Sequence, residues 1–147
     1  MSNNGQTNYV LGFMFSKSMR HVVLIRKLRP EWQLGQCNGV GGHIEPGEVA
    51  VGAMVREFVE ETGVLTSRTQ WQPYLKKTGR GFCVECFTCI GNVFCVKSLT
   101  DEQVEVHLVE TAVAPGFGAV EGVAWMIPMA ISCLNGRLIS AEARESV

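Results

Sequence analysis

Three glutamates, Glu57, Glu60 and Glu61, close the run Arg56-Glu57-Phe58-Val59-Glu60-Glu61. On a helix, residues three and four apart lie on one face, so the three carboxylates would project together. Like charges at that spacing repel. A hard divalent cation such as Mg2+ or Mn2+, which takes oxygen ligands, turns the repulsion into a binding site.

The elements around this run must both anchor it and open it to a substrate. Val51, Met54, Val55 and Phe58 recur at i, i+3, i+4 and i+7, which gives the same helix an apolar face for a core. Before it, Gly39, Gly41, Gly42 and Pro46-Gly47 predict a tight loop rather than a helix or a regular strand. Glu48 is then expected in the first helical turn, where the helix dipole favours an acid.

From Gly42 to Val64 the chain reads Gly42, five residues, Glu48, seven residues, Arg56-Glu57, Phe58, Val59, Glu60-Glu61, Thr62, Gly63, Val64. In every defined position this resembles the Nudix box, a match of many residue types at fixed spacings. The resemblance implies an α/β/α sandwich with a mixed β-sheet, which suits the α+β order of elements read below. It also implies Glu60 and Glu61 as main metal ligands with the Gly41 carbonyl, and Glu57 as a further ligand or the general base. Glu48 would join the outer metal shell, Arg56 would orient a neighbouring glutamate, and Gly42 would lie beside the substrate.

A diphosphate linkage is inert in water partly because its charge repels a nucleophile, and a bound cation neutralises that charge and acidifies water. The implied reaction is hydrolysis of a nucleoside diphosphate linked to a moiety X. A nucleoside triphosphate giving monophosphate and pyrophosphate is the expected case. The proline or tyrosine that marks other family substrates past the box is absent, that window being Gly79-Arg80-Gly81, and the upstream signature of the coenzyme A pyrophosphatases is missing. An oxidised purine nucleotide is the sharper form. Two other classes stay open: a nucleotide sensor that binds without cleaving, and an RNA-end (cap) processing hydrolase. The first would have lost box glutamates, and the second calls for a basic surface.

Flanking residues bear on the substrate. Tyr9 to Ser16 and His21 to Lys27 read as strands joined at Lys17 to Arg20, and the second ends in Arg26, Lys27 and Arg29 before Pro30. That cluster is either a solvated strand end or a phosphate hold, and the resemblance favours Arg26 as the phosphate contact. Trp32, in the loop Pro30 to Gly35, can pack or cover a ligand. Asn38 can read a base edge or cap the turn at Gly39. Members that clean up oxidised purine nucleotides carry an Asn at the matching position.

After the box, Trp71 to Lys77 and Phe82 to Ile90 read as strands about a turn at Thr78 to Gly81, Val93 to Val96 as a short strand, and Val104 to Val109 as a half-exposed one. Glu102 then sits in a loop. By resemblance it is the first choice for a further metal ligand or base, ahead of Glu105 and Glu121. Glu121 to Leu134 predicts a final helix that Gly122 and Pro128 weaken. Trp125 and Met129, one turn apart, belong to the core or to a pocket wall, and Glu121 would accept hydrogen bonds from a purine.

The chain has 147 residues, 46% hydrophobic and 18% charged, enough for one compact domain over 1–147 with a frayed start at 1–8. A net charge of -1 gives no drive toward broad nucleic-acid or anionic-membrane binding, so the expected partner is a small nucleotide. A homodimer is compatible with the sequence. There is no membrane-spanning run and Met1 to Asn8 is polar, which predicts a cytoplasmic protein. Cys83, Cys86 and Cys89 mimic a metal motif, but on a strand Cys86 would face away from the other two. The six cysteines read as reduced and mostly buried.

Overall fold

The computed structural model describes residues 5–137 and 140–145. Strands β1 (Thr7–Phe15), β2 (His21–Arg26), β3 (Cys37–Asn38) and β4 (Val40–His43) precede helix α1 (Ala50–Thr62). Then follow β5 (Gln72–Gly79), β6 (Phe82–Ile90), β7 (Gln103–Leu108), a single turn α2 (Val109–Ala112), α3 (Val123–Leu134) and β8 (Ala141–Arg144). The sheet is mixed and runs β3-β2-β1-β6-β5-β8, with β4 also paired to β1 and β7 to β2. β1 lies parallel to β6 and β5 parallel to β8, while β4 runs antiparallel to β1.

Alternation along the strands sends side chains to two cores. Phe13, Phe15, Leu24 and Cys86 join Ile127 and Ala130 of α3 on one face. Val10, Met14, Val23 and Cys89 join Met54 and Phe58 of α1 on the other. A helix packed on each face of the sheet makes the expected α/β/α sandwich. Cys86 and Cys89 therefore sit in opposite cores, as the strand period requires.

Several expectations are corrected. Residues 1–4 of the expected frayed start lie outside the described residues, but Thr7 and Asn8 belong to β1 and pair with Phe82 and Cys83. The glycine run is not purely a loop, because Val40–His43 pairs in register with Tyr9 to Gly12. Glycine is needed there by close approach, since a Cβ at Gly41 would collide with the Val10 carbonyl oxygen. Glu48 lies ahead of α1, whose first turn holds no acid, and its N–H instead donates to Glu45 O at 3.0 Å.

Val93–Cys95 is a 3-10 turn capped by Asn92, not a strand. α3 starts at Val123, after Gly122 at φ 96°, and runs through Pro128. Pro128 and Ala124 are both exposed, so the Ala124 carbonyl that the missing N–H of Pro128 leaves free is open to solvent.

Candidate active site

Helix α1 is held by its apolar face and ends where Gly63 turns left-handed at φ 77°, its N–H returning to Val59 O. That leaves the opposite face to the glutamates. Glu57 is buried enough that only 13% of its side chain is exposed, while Glu60 is 54% exposed. The Glu57 carboxylate packs over Gly42: a Cβ there would stand 2.5 Å from Glu57 Cδ. The glycine thus makes room for the carboxylate at the start of the box.

Arg56 organises the group. It donates to Glu48 from Nε at 2.6 Å and from a terminal nitrogen at 2.9 Å, to His43 O at 3.0 Å, to Glu57 Oε1 at 2.9 Å and to Glu60 Oε2 at 3.3 Å. The hydrogen bonds from Arg56 pull the Glu48 carboxyl down to about 2. Burial pushes Glu57 up despite Arg56, and the charges of Glu60 and Glu61 add to the rise. Burial likewise raises Glu61, where a hydrogen bond from Thr100 Oγ1 at 3.1 Å only partly opposes it. These half-buried carboxylates repel one another, and an oxygen-seeking divalent cation is what the donor set fits.

Gly41 and Gly42 also line a cavity of about 650 Å³. Lys27, Arg29, Trp32, Asn38 and Glu121 are among the other residues that line it. Arg26 is not among the lining residues. Its guanidinium grips both oxygens of Glu105, at 2.6 and 2.8 Å, and donates to Gly35 O at 2.9 Å. Trp125 lies outside the lining too, 42% exposed, and its neighbour Met126 takes the wall position. Asn38 caps the turn, accepting from Gly39 N through Oδ1 at 2.8 Å, and is among the residues that line the cavity.

Glu102 is in a loop but only 5% exposed. Its carboxylate accepts from Leu28 N at 2.6 Å, Lys27 Nζ at 3.1 Å and Arg29 N at 3.4 Å. Burial works against ionisation, yet those donors hold its carboxyl below the usual range. Glu105 faces Arg26 instead, whose hydrogen bonds draw it down to about 2. Among the described residues, Cys37, Glu105 and His107 also bring metal-ligand atoms within 4.8 Å of each other, but Arg26 already supplies the positive charge there.

Three residues of the lining have no signal of such a role in the sequence reading: Lys77, Phe82 and Glu145. Alternation along β5 and β6 could have put Lys77 and Phe82 on one face. Glu145 follows β8, whose Ala-Glu-Ala-Arg has no strong strand signal, and is brought in when its N–H bonds Thr78 O at 2.7 Å.

The model of the NUDIX domain family matches residues 6–143. None of the curated proteins matches the chain in sequence. Among solved structures, it resembles a MutT from work on Aliivibrio salmonicida and Vibrio cholerae, at 19% identity over 82% of this chain and 94% of that one, TM-score 0.64. A Nudix-family hydrolase from Clostridium perfringens gives 17% identity over 88% and 98%, TM-score 0.69. A MutT protein from Bacillus halodurans gives 16% over 83% and 80%, TM-score 0.64. At such identities the likeness is one of fold. The family match over nearly the whole chain carries more: this chain belongs to the Nudix family, whose hydrolases typically use divalent metal ions, and it is a pyrophosphohydrolase acting on acid anhydrides.

Proposed function

We propose that the chain hydrolyses a nucleoside triphosphate to the monophosphate and pyrophosphate, with Mg2+ or Mn2+ bound by Glu57, Glu60, Glu61 and the Gly41 carbonyl. The observation that carries this is the placement of two half-buried, charge-strained glutamates next to residues that line the cavity: Glu57 packs against Gly42, and the charge of Lys27 acts on Glu61. A cation bound there neutralises phosphate charge and lowers the pKa of water. Glu57, raised toward neutrality by burial, is suited to take the proton of the attacking water or to complete the ligand set.

Arg56 fixes the rotamers of Glu57 and Glu60, and Glu48 keeps Arg56 in place from the outer shell. Lys27 and Arg29, which line the cavity, neutralise the phosphate chain, which is the task expected of Arg26. Arg26 contributes by bracing Gly35 and Glu105. The Asn38 amide donates to a base edge and the exposed Glu121 carboxylate accepts from it. Such a donor and acceptor pair suits a purine, and an oxidised guanine is the sharper case.

The test is a substrate panel with Mg2+ and with Mn2+: the common nucleoside triphosphates, dGTP beside its oxidised form, and capped RNA, with products identified by phosphorus NMR. Monophosphate plus pyrophosphate from a free nucleotide supports the reading. Equal kcat/KM for dGTP and its oxidised form would remove the oxidised-purine specificity. Turnover of capped RNA alone would replace the reading with RNA-end processing, and binding without turnover with a sensor.

A further inference from the structure

The wall that carries Lys27 and Arg29 and the helix that carries Glu61 come from distant parts of the chain, yet one segment touches both. Between the 3-10 turn at Val93–Cys95 and β7, Lys97 N donates to Thr62 O at 2.9 Å and Leu99 N to Glu61 O at 3.4 Å. These bonds satisfy carbonyls at the C-terminal end of α1 that no helical N–H can reach. Gly63 packs beside Leu99, where a Cβ would stand 3.3 Å from Cδ1. Thr100 Oγ1 donates to Glu61 Oε2 at 3.1 Å and accepts from Glu102 N at 3.2 Å.

The same segment then reaches the other wall. Glu102 turns its buried carboxylate onto the N–H groups of Leu28 and Arg29 and onto Lys27 Nζ. Asp101 adds an exposed pair with Arg29 at 2.5 Å. The Leu28 and Arg29 N–H groups lie just past β2, which ends at Arg26, so no ladder carbonyl serves them. Those donors engage three of the roughly four acceptor sites of the Glu102 carboxylate, both on the oxygen turned to Leu28 and one on the oxygen turned to Lys27.

We infer that Glu102 is a positioning residue: it fastens the Lys27–Arg29 wall to the metal-binding end of α1 through the strap Lys97–Glu102, so that cationic wall and carboxylates keep one separation. The role differs from the metal ligand or base expected of a loop glutamate. It rests on the hydrolase reading only where turnover is measured. A charge-assisted hydrogen bond to a buried carboxylate is strong, and losing it releases the wall.

The test compares Glu102→Gln, Thr100→Val and Thr100→Ser with the wild type. In the metal-free protein, amide hydrogen exchange at Leu28 and Arg29 is expected to rise about tenfold or more in Glu102→Gln, the scale of one hydrogen bond to a charged group. Mn2+ affinity, read by electron paramagnetic resonance, is expected to stay within about twofold, because the Glu102 carboxylate is engaged by the Leu28, Arg29 and Lys27 donors and not by the ion. On the nucleotide that the panel identifies, KM should rise about tenfold in Glu102→Gln with kcat changed far less. Thr100→Val should raise KM more weakly, and Thr100→Ser, which keeps the hydroxyl, should restore it. Weakened Mn2+ binding, or a kcat collapse with unchanged KM and unchanged exchange at Leu28 and Arg29, would overturn the inference and make Glu102 a ligand or base. Exchange and Mn2+ binding need no substrate, so a failed panel and a failed positioning role give different results.

Discussion

The carboxylate of Glu57 rests on the α-carbon of Gly42, with no room between them for a methyl group. The contact is with the end of a flexible side chain, so Gly42→Ala can be accommodated by swinging Glu57 aside. We expect little change in melting temperature and a fall in kcat of about a hundredfold, the scale of misplacing a reacting group by about 1 Å. A variant with wild-type kcat would show that the Glu57 position is immaterial.

Acid should weaken the fold through Glu48 and Glu105. Hydrogen bonds from Arg56 and from Arg26 hold these carboxyls near 2, against an ordinary 4.5. A depressed native pKa gives stability that is present above the unfolded value and lost as pH falls from about 4.5 toward about 2. Thermal unfolding across that range should show wild type and Arg56→Ala far apart at neutral pH and converging in acid. Arg26→Ala should behave likewise through Glu105. A gap independent of pH would contradict this.

The Tyr74 hydroxyl is buried and, among the described residues, is the buried side-chain polar atom with no hydrogen-bond partner. Tyr74→Phe should therefore raise stability by about 1 kcal/mol in urea unfolding, since an unmet buried donor costs more than its removal. Destabilisation of that size would mean that the hydroxyl is satisfied.

Cysteine reactivity should follow burial. Burial pushes the Cys37 thiol to about 11 and Cys86 to about 12, and raises Cys83, Cys89 and Cys133, whereas Cys95 is exposed. Iodoacetamide at neutral pH should modify one thiol of the native protein and all six after unfolding. Fast modification of Cys83, Cys86 or Cys89 in the native state would contradict the packing.

The box was legible because helical spacing alone brings Glu57, Glu60 and Glu61 together and puts Met54 and Phe58 behind them. Gly41 and Gly42 were harder to read. Their composition signals a break, but the close approach to β1 that demands glycine also makes a strand, and only the pairing reveals it. The roles of Arg26 and Glu102 depend on where residues more than seventy positions apart meet. Charge pattern marked the basic cluster, yet could not say that Glu105 would take Arg26 while Lys27 and Arg29 line the cavity. Likewise Trp125 and Met126 differ by one position on α3, and the helix's rotation on the sheet decides which one faces the cavity.

If the carboxylate face of α1 performs the proposed metal-dependent anhydride hydrolysis, Glu57→Gln should all but abolish turnover without unfolding the chain. With Mg2+ and the preferred nucleotide, kcat should fall about a hundredfold or more while the melting temperature is kept, because the amide preserves shape but neither ligates nor accepts a proton as a carboxylate does. Full activity in that variant would contradict the account.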